Sequence, residues 1–479
     1  MNGLLEGLEI SILPLSKVLV ENGKARIDSG YFTKAAIEAE RLVAALPNRP
    51  LGEITSVFRK GIFDIKADTY VEPDEGVPFI RISDIKTGII QKRTTAWIDH
   101  LAHKLEAKTA LRFGDLVLSK TAYPAAAMVN VPECNVSQDT IAVRLTPESK
   151  KEFQPGAIVA FLNGRHGMSL MARRFQGNIQ QHLSLEDGKA VRIPQFSMEL
   201  QNVIHALILK AEKSQDLVFE KGQEAEQFIT QALGLADCTP TEPLTYVSRA
   251  LVALGAGRID AQYFMPTKEQ VKQALGAMPG QLLKDRVDSI RDQFQPDRAP
   301  PTMQVRNYDV TDALLPLMDA EKEPSFAAEI GSMKKVFKDG DVAVSRLRAY
   351  LKEIAVVRTG EDFPSVGSSE FIVLRPKTKD ISPETLMVFL RSSPVQTILK
   401  WCQDGSQHPR FSESDLLSIP VPDAVAKISN EVTIIVQEGF TARHRARKLF
   451  DAAKRAVEIA IEDGESAAMA YLATNVEAV

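Results

Sequence analysis

The sequence repeats itself along nearly its whole length, and this constrains the fold more than any local motif. Ser16–Phe32 and Ser248–Phe264 share nine identities in 17 aligned positions, ending in RIDSGYF and RIDAQYF. The echo then continues in the same order. PFIRISDI (Pro78–Ile85) meets MQVRNYDV (Met303–Val310), which keeps Arg81/Arg306 and Asp84/Asp309. FGDLVLSK (Phe113–Lys120) meets DGDVAVSR (Asp339–Arg346), and SQDTIAVRL (Ser137–Leu145) meets SSEFIVLRP (Ser368–Pro376). GNIQQHLS (Gly177–Ser184) meets GSQHPRFS (Gly405–Ser412), and VRIP before Gln195 meets LSIP before Val421. A period of roughly 230 residues is far too long for a solenoid or propeller. It predicts two homologous domains in a pseudo-twofold arrangement within one chain.

Each copy reads as α+β. DLVLSK, TIAVRL, VAVSRL, IAVVRT and FIVLRP are short runs rich in β-branched residues, bounded by turn formers. LKDRVDSIRD fits either a helix or a strand. PGAIVAFLNGRHGMSLMARRF and SPETLMVFLRSSPVQTILKWC read as helices, the second with Ser382 as a cap and Pro383 at its first position. Each copy then ends in a long proline-free helical pattern, over about 196–235 and 423–462. In the first, steps of four and three pick out Leu200, Ile204, Leu207, Ala211, Ser214, Val218, Lys221, Ala225, Phe228, Ala232 and Leu235. In the second they pick out Ile428, Val432, Ile435, Gly439, Ala442, Ala446, Leu449, Ala453, Ala456 and Ala460. A sustained seam of this period predicts that the two helices pair as an antiparallel coiled coil. The alternative is that each helix covers its own domain. The expected organisation is a first α+β domain with an N-terminal extension (1–195), a spacer helix (196–236), a second α+β domain (237–421), a second spacer helix (422–463) and a tail (464–479).

Chemistry-bearing motifs are missing. There is no Gly-rich loop ending in Gly-Lys-Ser/Thr, no G-x-G-x-x-G, no G-x-S-x-G and no H-E-x-x-H. RAPPT (Arg298–Thr302) lacks the Asn/Asp/Ser-Pro-Pro-aromatic tetrapeptide with which amino-methyltransferases hold a flipped base. The expectation is a non-catalytic chain with neither metal nor cofactor of its own. The three cysteines, Cys134, Cys238 and Cys402, give no disulfide framework or paired metal-ligand spacing. The apolar N-terminus has no basic start and carries Glu6 and Glu9, unlike a secretory signal. No apolar run is long enough to span a membrane. These features predict a cytoplasmic protein. The formal charge of −4 is not that of a protein that coats nucleic acid by charge alone. It leaves room for local reading of DNA.

Two α+β units, each followed by a long helix, resemble the DNA specificity subunit of type I restriction–modification systems. GVPFIRISDIKTGII (Gly76–Ile90) is similar to that family's signature near the start of a target recognition domain, and FGDLVLSKT to its Gly-Asp strand entry. GNIQQHLSLEDGKAVRIPQF and GSQHPRFSESDLLSIPVP are similar to its domain-closing segment. RIDSGYF resembles an N-terminal extension found in a subset of such subunits. The resemblance implies that each domain reads one half of a split site in double-stranded DNA. It implies that the helices fix the separation and dock two methyltransferase subunits, which bind S-adenosylmethionine and methylate adenine. A restriction/translocase subunit would join for cleavage in phage defence. The second copy keeps only a faint version of the first signature.

Arg and Lys suit phosphates and guanine edges, while Gln and Asn suit adenine. The candidate DNA contacts in the first copy are Lys60, Arg81, Ser83, Lys120, Thr121, Gln180, Gln181 and His182. Those in the second are Arg306, Asn307, Arg346, Arg348, Ser406, Gln407, His408 and Arg410. The candidate pairing residues of the helices are Leu200, Ile204, Leu207, Val218, Phe228, Ile428, Val432, Ile435 and Leu449. Asp84, Asp309, Asp115 and Asp341 suit turns or caps better than base contacts. Each RID-x-x-YF phrase reads as a turn and ion pair packed down by its aromatics, with partner docking as the alternative. Two other functions stay open: a subunit of a modification-only or phage-defence assembly with other effectors, and a coiled-coil scaffold that does not read DNA.

Overall fold

The computed structural model describes residues 10–20, 26–85, 88–90, 95–177, 181–236 and 242–476. The chain divides into two compact units, Met1–Phe219 with Ala442–Val479, and Glu220–Thr441. Both are mixed α+β, and both contain two sheets with matching strand order.

In the first unit, one sheet runs Thr55–Lys60, Thr140–Leu145, Leu116–Ser119, Ala126–Met128, all antiparallel. The other runs Ala96–Asp99, Gly76–Ile80, Glu133–Val136, Leu111–Arg112, with one parallel pair at its centre. The second unit repeats this with one strand added to each sheet. Its first sheet runs Val287–Ile290, Phe371–Pro376, Val342–Ser345, Ile354–Val357, Leu317–Met318. Its second runs Ser325–Phe326, Gln304–Tyr308, Ser365–Gly367, Lys334–Phe337, Gln293–Phe294, again with the parallel pair inside. A short antiparallel ribbon ties the start of each unit to its end: Asn48–Pro50 with Arg192–Pro194, and Gly280–Leu282 with Pro420–Pro422.

The central strands are apolar on both faces because both faces are covered. Leu116 and Leu118 belong to the core cluster that includes the helices, whereas Val117 belongs to a separate cluster with Ile80, Val136 and Ala142. Val342 and Val344 face the helical cluster of the second unit, and Ala343 the opposite one. Period-two alternation decides the face, and double burial explains the unbroken apolar runs.

The Gly-Asp entry to this strand is a turn, as its composition predicts, and more. Gly114 and Gly340 take left-handed φ values of 83° and 80°, which glycine adopts without a steric penalty. Asp115 accepts from the Arg112 N–H at 2.8 Å and from both Nε and Nη2 of Arg144 at 2.9 and 2.7 Å. Asp341 does the same with the Lys338 N–H and Arg375. Both aspartates are buried. Asp84 accepts from the Arg81 N–H, and Asp309 caps a 3-10 turn with Asp312.

The two stretches that read as helical each hold two helices. The first breaks at Gly164, between Pro155–Asn163 and Arg165–Ala172. The second breaks at Ser392, between Pro383–Arg391 and Ser393–Cys402, where Pro394 follows the break. The Ser382 cap is in place, its Oγ accepting from the Thr385 N–H. LKDRVDSIRD resolves into one helical turn, Leu283–Arg286, and a strand, Val287–Ile290.

The long helices are Met198–Ala232 and Ser429–Glu462. In the first unit Leu200, Ile204, Leu207 and Ala211 share a core cluster with Leu449, Ala453, Ala456 and Ala460. The Ser197 N–H, just before the first helix, donates to Glu465, just beyond the second. Start beside end, with shared packing, makes these segments antiparallel. In the second unit Ala225, Ile229, Leu233, Val432 and Val436 share a cluster, with Phe228, Ile428 and Ile435 packed at its margin, and Lys221 pairs with Glu438 at 2.7 Å. The seam of the second helix is buried much as its spacing predicts. That of the first is not: Val218 is half-buried, Ala232 is exposed, and Ile229 and Leu233 are buried in place of Phe228 and Ala232. The burial also widens to Gln201, Ile208 and Glu212. Gln201 Nε2 donates to the Glu152 and Phe196 carbonyls, so this helix packs on its own unit as well as on the second helix. Both packings hold at once. Among the described residues, no helix is long and apolar enough to cross a membrane.

Candidate nucleic-acid interface

In the first unit, three stretches far apart in sequence meet at one end of the sheets. The chain leaves the strand Leu116–Ser119 into Lys120, Thr121 and Ala122. The Lys120 N–H donates to Asp139 O, and the Leu183 N–H donates to Lys120 O at 2.7 Å. The Ala122 N–H donates to Gln181 O at 3.0 Å, and Thr121 bridges His182. Tyr123 Oη donates to Ile82 O at 3.1 Å, which draws Arg81 and Ser83 to the same place. Lys60 stands beside them, since the Gly61 N–H donates to Thr140 O, next to Asp139. Lys60, Ser83, Gln181 and His182 are exposed, and Lys60 Nζ lies 4.7 Å from the Phe63 ring centre. Thr121 is only 3% exposed and serves the backbone pairing. Gln180 lies outside the described residues.

The second unit builds the same junction. The Arg346 N–H donates to Glu370 O, the Phe411 N–H to Arg346 O, and the Arg348 N–H to Pro409 O at 2.8 Å. Leu347 bridges Arg410. The backbone scaffold is therefore shared, while the side chains differ: Lys120 against Arg346, Ala122 against Arg348, Gln181 against Pro409, His182 against Arg410. Arg346, Arg410, Ser406, Gln407 and His408 are exposed. Glu370 binds Arg410 at 2.8 Å and Arg346 at 3.0 Å. The Arg410 guanidinium holds the Glu370 carboxyl below the usual range, against the effect of its partial burial, and Arg346 adds to this. Two guanidiniums around one carboxylate leave a net positive, oriented pair suited to phosphate or guanine.

One sequence correspondence shifts by three residues. The Ser137 N–H donates to Ile80 O, and the Ser368 N–H to Tyr308 O, so Arg81 corresponds to Asp309 rather than to Arg306. Likewise Asp84 corresponds to Asp312: each accepts from the backbone N–H three residues before it. Arg306 sits inside a strand, 5% exposed, in a bidentate pair with Asp362 at 2.8 Å and against the Phe363 ring. That side chain braces the second sheet and is spent internally. Asn307 is half-buried on the same strand. The junction also contains Tyr123, Asp139 and Glu370, which are not among the residues expected from the sequence, and Tyr350, 65% exposed, follows Arg348 by two residues. An aromatic following the Ser-Lys or Ser-Arg strand exit in both copies was the available signal.

No family model matches this chain, and no curated relative does. The chain is similar to solved structures at low identity. A type I restriction–modification S subunit from M. genitalium is 12% identical, with 86% of this chain and 95% of that chain covered, at a TM-score of 0.39. An HsdS subunit from Thermoanaerobacter tengcongensis is 14% identical, covering 87% and 96%, at 0.26. A chain from a study of complex assembly and conformational transition of the type I R-M system is 14% identical, covering 88% and 98%, at 0.27.

Proposed function

We propose that this chain is the non-catalytic, sequence-reading subunit of a type I restriction–modification assembly, with two readers for a two-part site in double-stranded DNA. The observation that carries this reading is the duplicated junction: one backbone scaffold, two different sets of side chains. A scaffold with the same hydrogen bonds and different outward residues is what two half-sites of different sequence require. Lys120 and Arg346 suit phosphate positioning, Gln181 suits an adenine edge, and Arg410 a guanine edge. Two readers on one chain need a fixed separation matched to the DNA helical repeat, which long helices supply better than a flexible linker. The remaining helix surface would dock two methyltransferase subunits, which would carry the S-adenosylmethionine, and a restriction/translocase subunit where the system cleaves.

A second reading keeps one specific observation. Glu370 partly neutralises Arg346 and Arg410, and the chain is net negative, as suits an assembly scaffold that does not read DNA. Binding of the purified assembly to a panel of duplexes, across a range of salt, separates the two. A reader gives salt-dependent, sequence-selective binding; a scaffold gives none. A modification-only or phage-defence assembly would select a site too, and differs in which effector subunits co-purify.

A further inference from the structure

We infer that the Arg-Ile-Asp element at the start of each unit is a brace that sets the position of that unit's reading loops, and so tunes recognition of one half-site. This rests on the DNA-reading function proposed above. In the first unit Arg26 grips Asp28 through Nε and Nη2, at 2.7 and 2.9 Å. Its remaining arm, Nη1, donates to Arg173 O at 2.9 Å, at the C-terminus of the helix Arg165–Ala172. Tyr31 lies beneath, buried, with the Arg26 and Arg173 guanidiniums 4.9 and 4.2 Å from its ring centre. In the second unit Arg258 grips Asp260 at 2.8 and 2.7 Å and donates from Nη1 to Cys402 O at 3.0 Å. Nη2 also reaches Gln403 O, and the guanidinium lies 4.3 Å from the Tyr263 ring centre.

Both gripped carbonyls lie where the chain leaves a helix for the reading junction. In the first unit Phe175 and Gln176 follow, pairing with Leu183 and His182. Gln181 lines the same cavity of about 610 Å³ as Arg26, Asp28 and Arg173. In the second unit the Gln403 side chain accepts from the Ala349 N–H, beside Arg348. Asp404 and Arg410 exchange both backbone hydrogen bonds at 2.8 Å. A cation at a helix C-terminus is favourable in itself. Only a guanidinium can hold a carboxylate with two donors and aim a third at a carbonyl in one plane. A simple turn staple would need the first grip and not the second.

The full chain, purified with the subunits that accompany it in its own host, is used to select sites from a random duplex DNA library. The parent yields a two-part site. Arg26→Lys keeps the charge and loses the double grip; it should lose about tenfold of discrimination, the scale of one charged hydrogen bond, in one half only. Arg258→Lys should lose it in the other half only, and thermal unfolding of both variants stays close to the parent. Exchanging the pair, Arg26→Asp with Asp28→Arg, restores an ion pair but sets a carboxylate against the helix carbonyl, and should not restore that half. Equal loss in both halves, no loss in either, or rescue by the exchange overturns the brace. A parent chain that selects no two-part site instead overturns the DNA-reading function, before any variant is made.

Discussion

Ala122 and Arg348 hold the same left-handed backbone conformation, at φ 62° and 49°, in equivalent loops of the two units. Neither is a residue type that adopts it freely, and each donates its N–H to the partner segment of the junction. Strain of this kind persists where surrounding bonds over-determine it, and it concentrates at binding sites. Its recurrence in two copies with different side chains means that the loop shape, not the residue, is what both units keep.

Ala122→Gly should leave stability within about 1 kcal/mol of the parent, because relief of strain offsets the added freedom of the unfolded chain. Ala122→Val should cost about 2 kcal/mol, since a β-branched side chain tolerates this backbone poorly. Chemical denaturation of the two variants checks this; equal stability would mean that the loop does not hold the left-handed form.

Asp115→Ala and Asp341→Ala should each cost about 2 kcal/mol, because each removes a buried carboxylate that satisfies a backbone N–H and a partly exposed arginine, and water still reaches Arg144 and Arg375. Asp115→Asn keeps the shape and part of the bonding and should cost less. Differential scanning calorimetry reads the loss directly.

Acid should act on the second unit through Asp362. Arg306 pulls its carboxyl down to about 2 from 3.8. A lowered folded-state value means that the pair stabilises fully above the unfolded value and that this is lost as pH falls through the folded one. The stability gap between the parent and Arg306→Met should therefore be constant above pH 4 or so and close toward pH 2. A gap that is flat down to pH 2 would contradict the pairing.

Glu370→Gln should free Arg346 and Arg410. Non-specific DNA affinity should rise at low salt, and the salt slope should steepen by about one unit for each phosphate gained. Discrimination in that half-site should fall, since the arginines lose their orientation. Fluorescence anisotropy over a salt series checks both; an unchanged slope would place these arginines away from DNA.

Much of this architecture was legible in the chain. The duplication shows as phrases repeated in the same order, and the Gly-Asp turns and the RID-x-x-YF ion pairs are local in sequence, so spacing reveals them. The break inside each two-helix stretch does carry a polar signal, Asn163-Gly164-Arg165 and Ser392-Ser393-Pro394, but the helical apolar spacing on either side masks it. The first long helix misled in its second half: a straight helix of 3.6 residues per turn drifts away from a 3.5-residue seam, so Ile229 and Leu233 are buried in place of Phe228 and Ala232. Arg306 misled for another reason. Its partner Asp362 is distant in sequence, and a weak alignment three residues out of register paired it with Arg81. The meeting of Tyr123 with Ile82, and of Gln181 with Ala122, depends on tertiary pairing that no local pattern encodes.

Methylome sequencing of the host, with and without this gene and with its partner subunits expressed, tests the claim of two readers on one chain most directly. The account predicts one adenine-methylated motif in two parts separated by a fixed gap, lost when the gene is deleted. The same motifs in both strains, with the partner methyltransferase present, would contradict it.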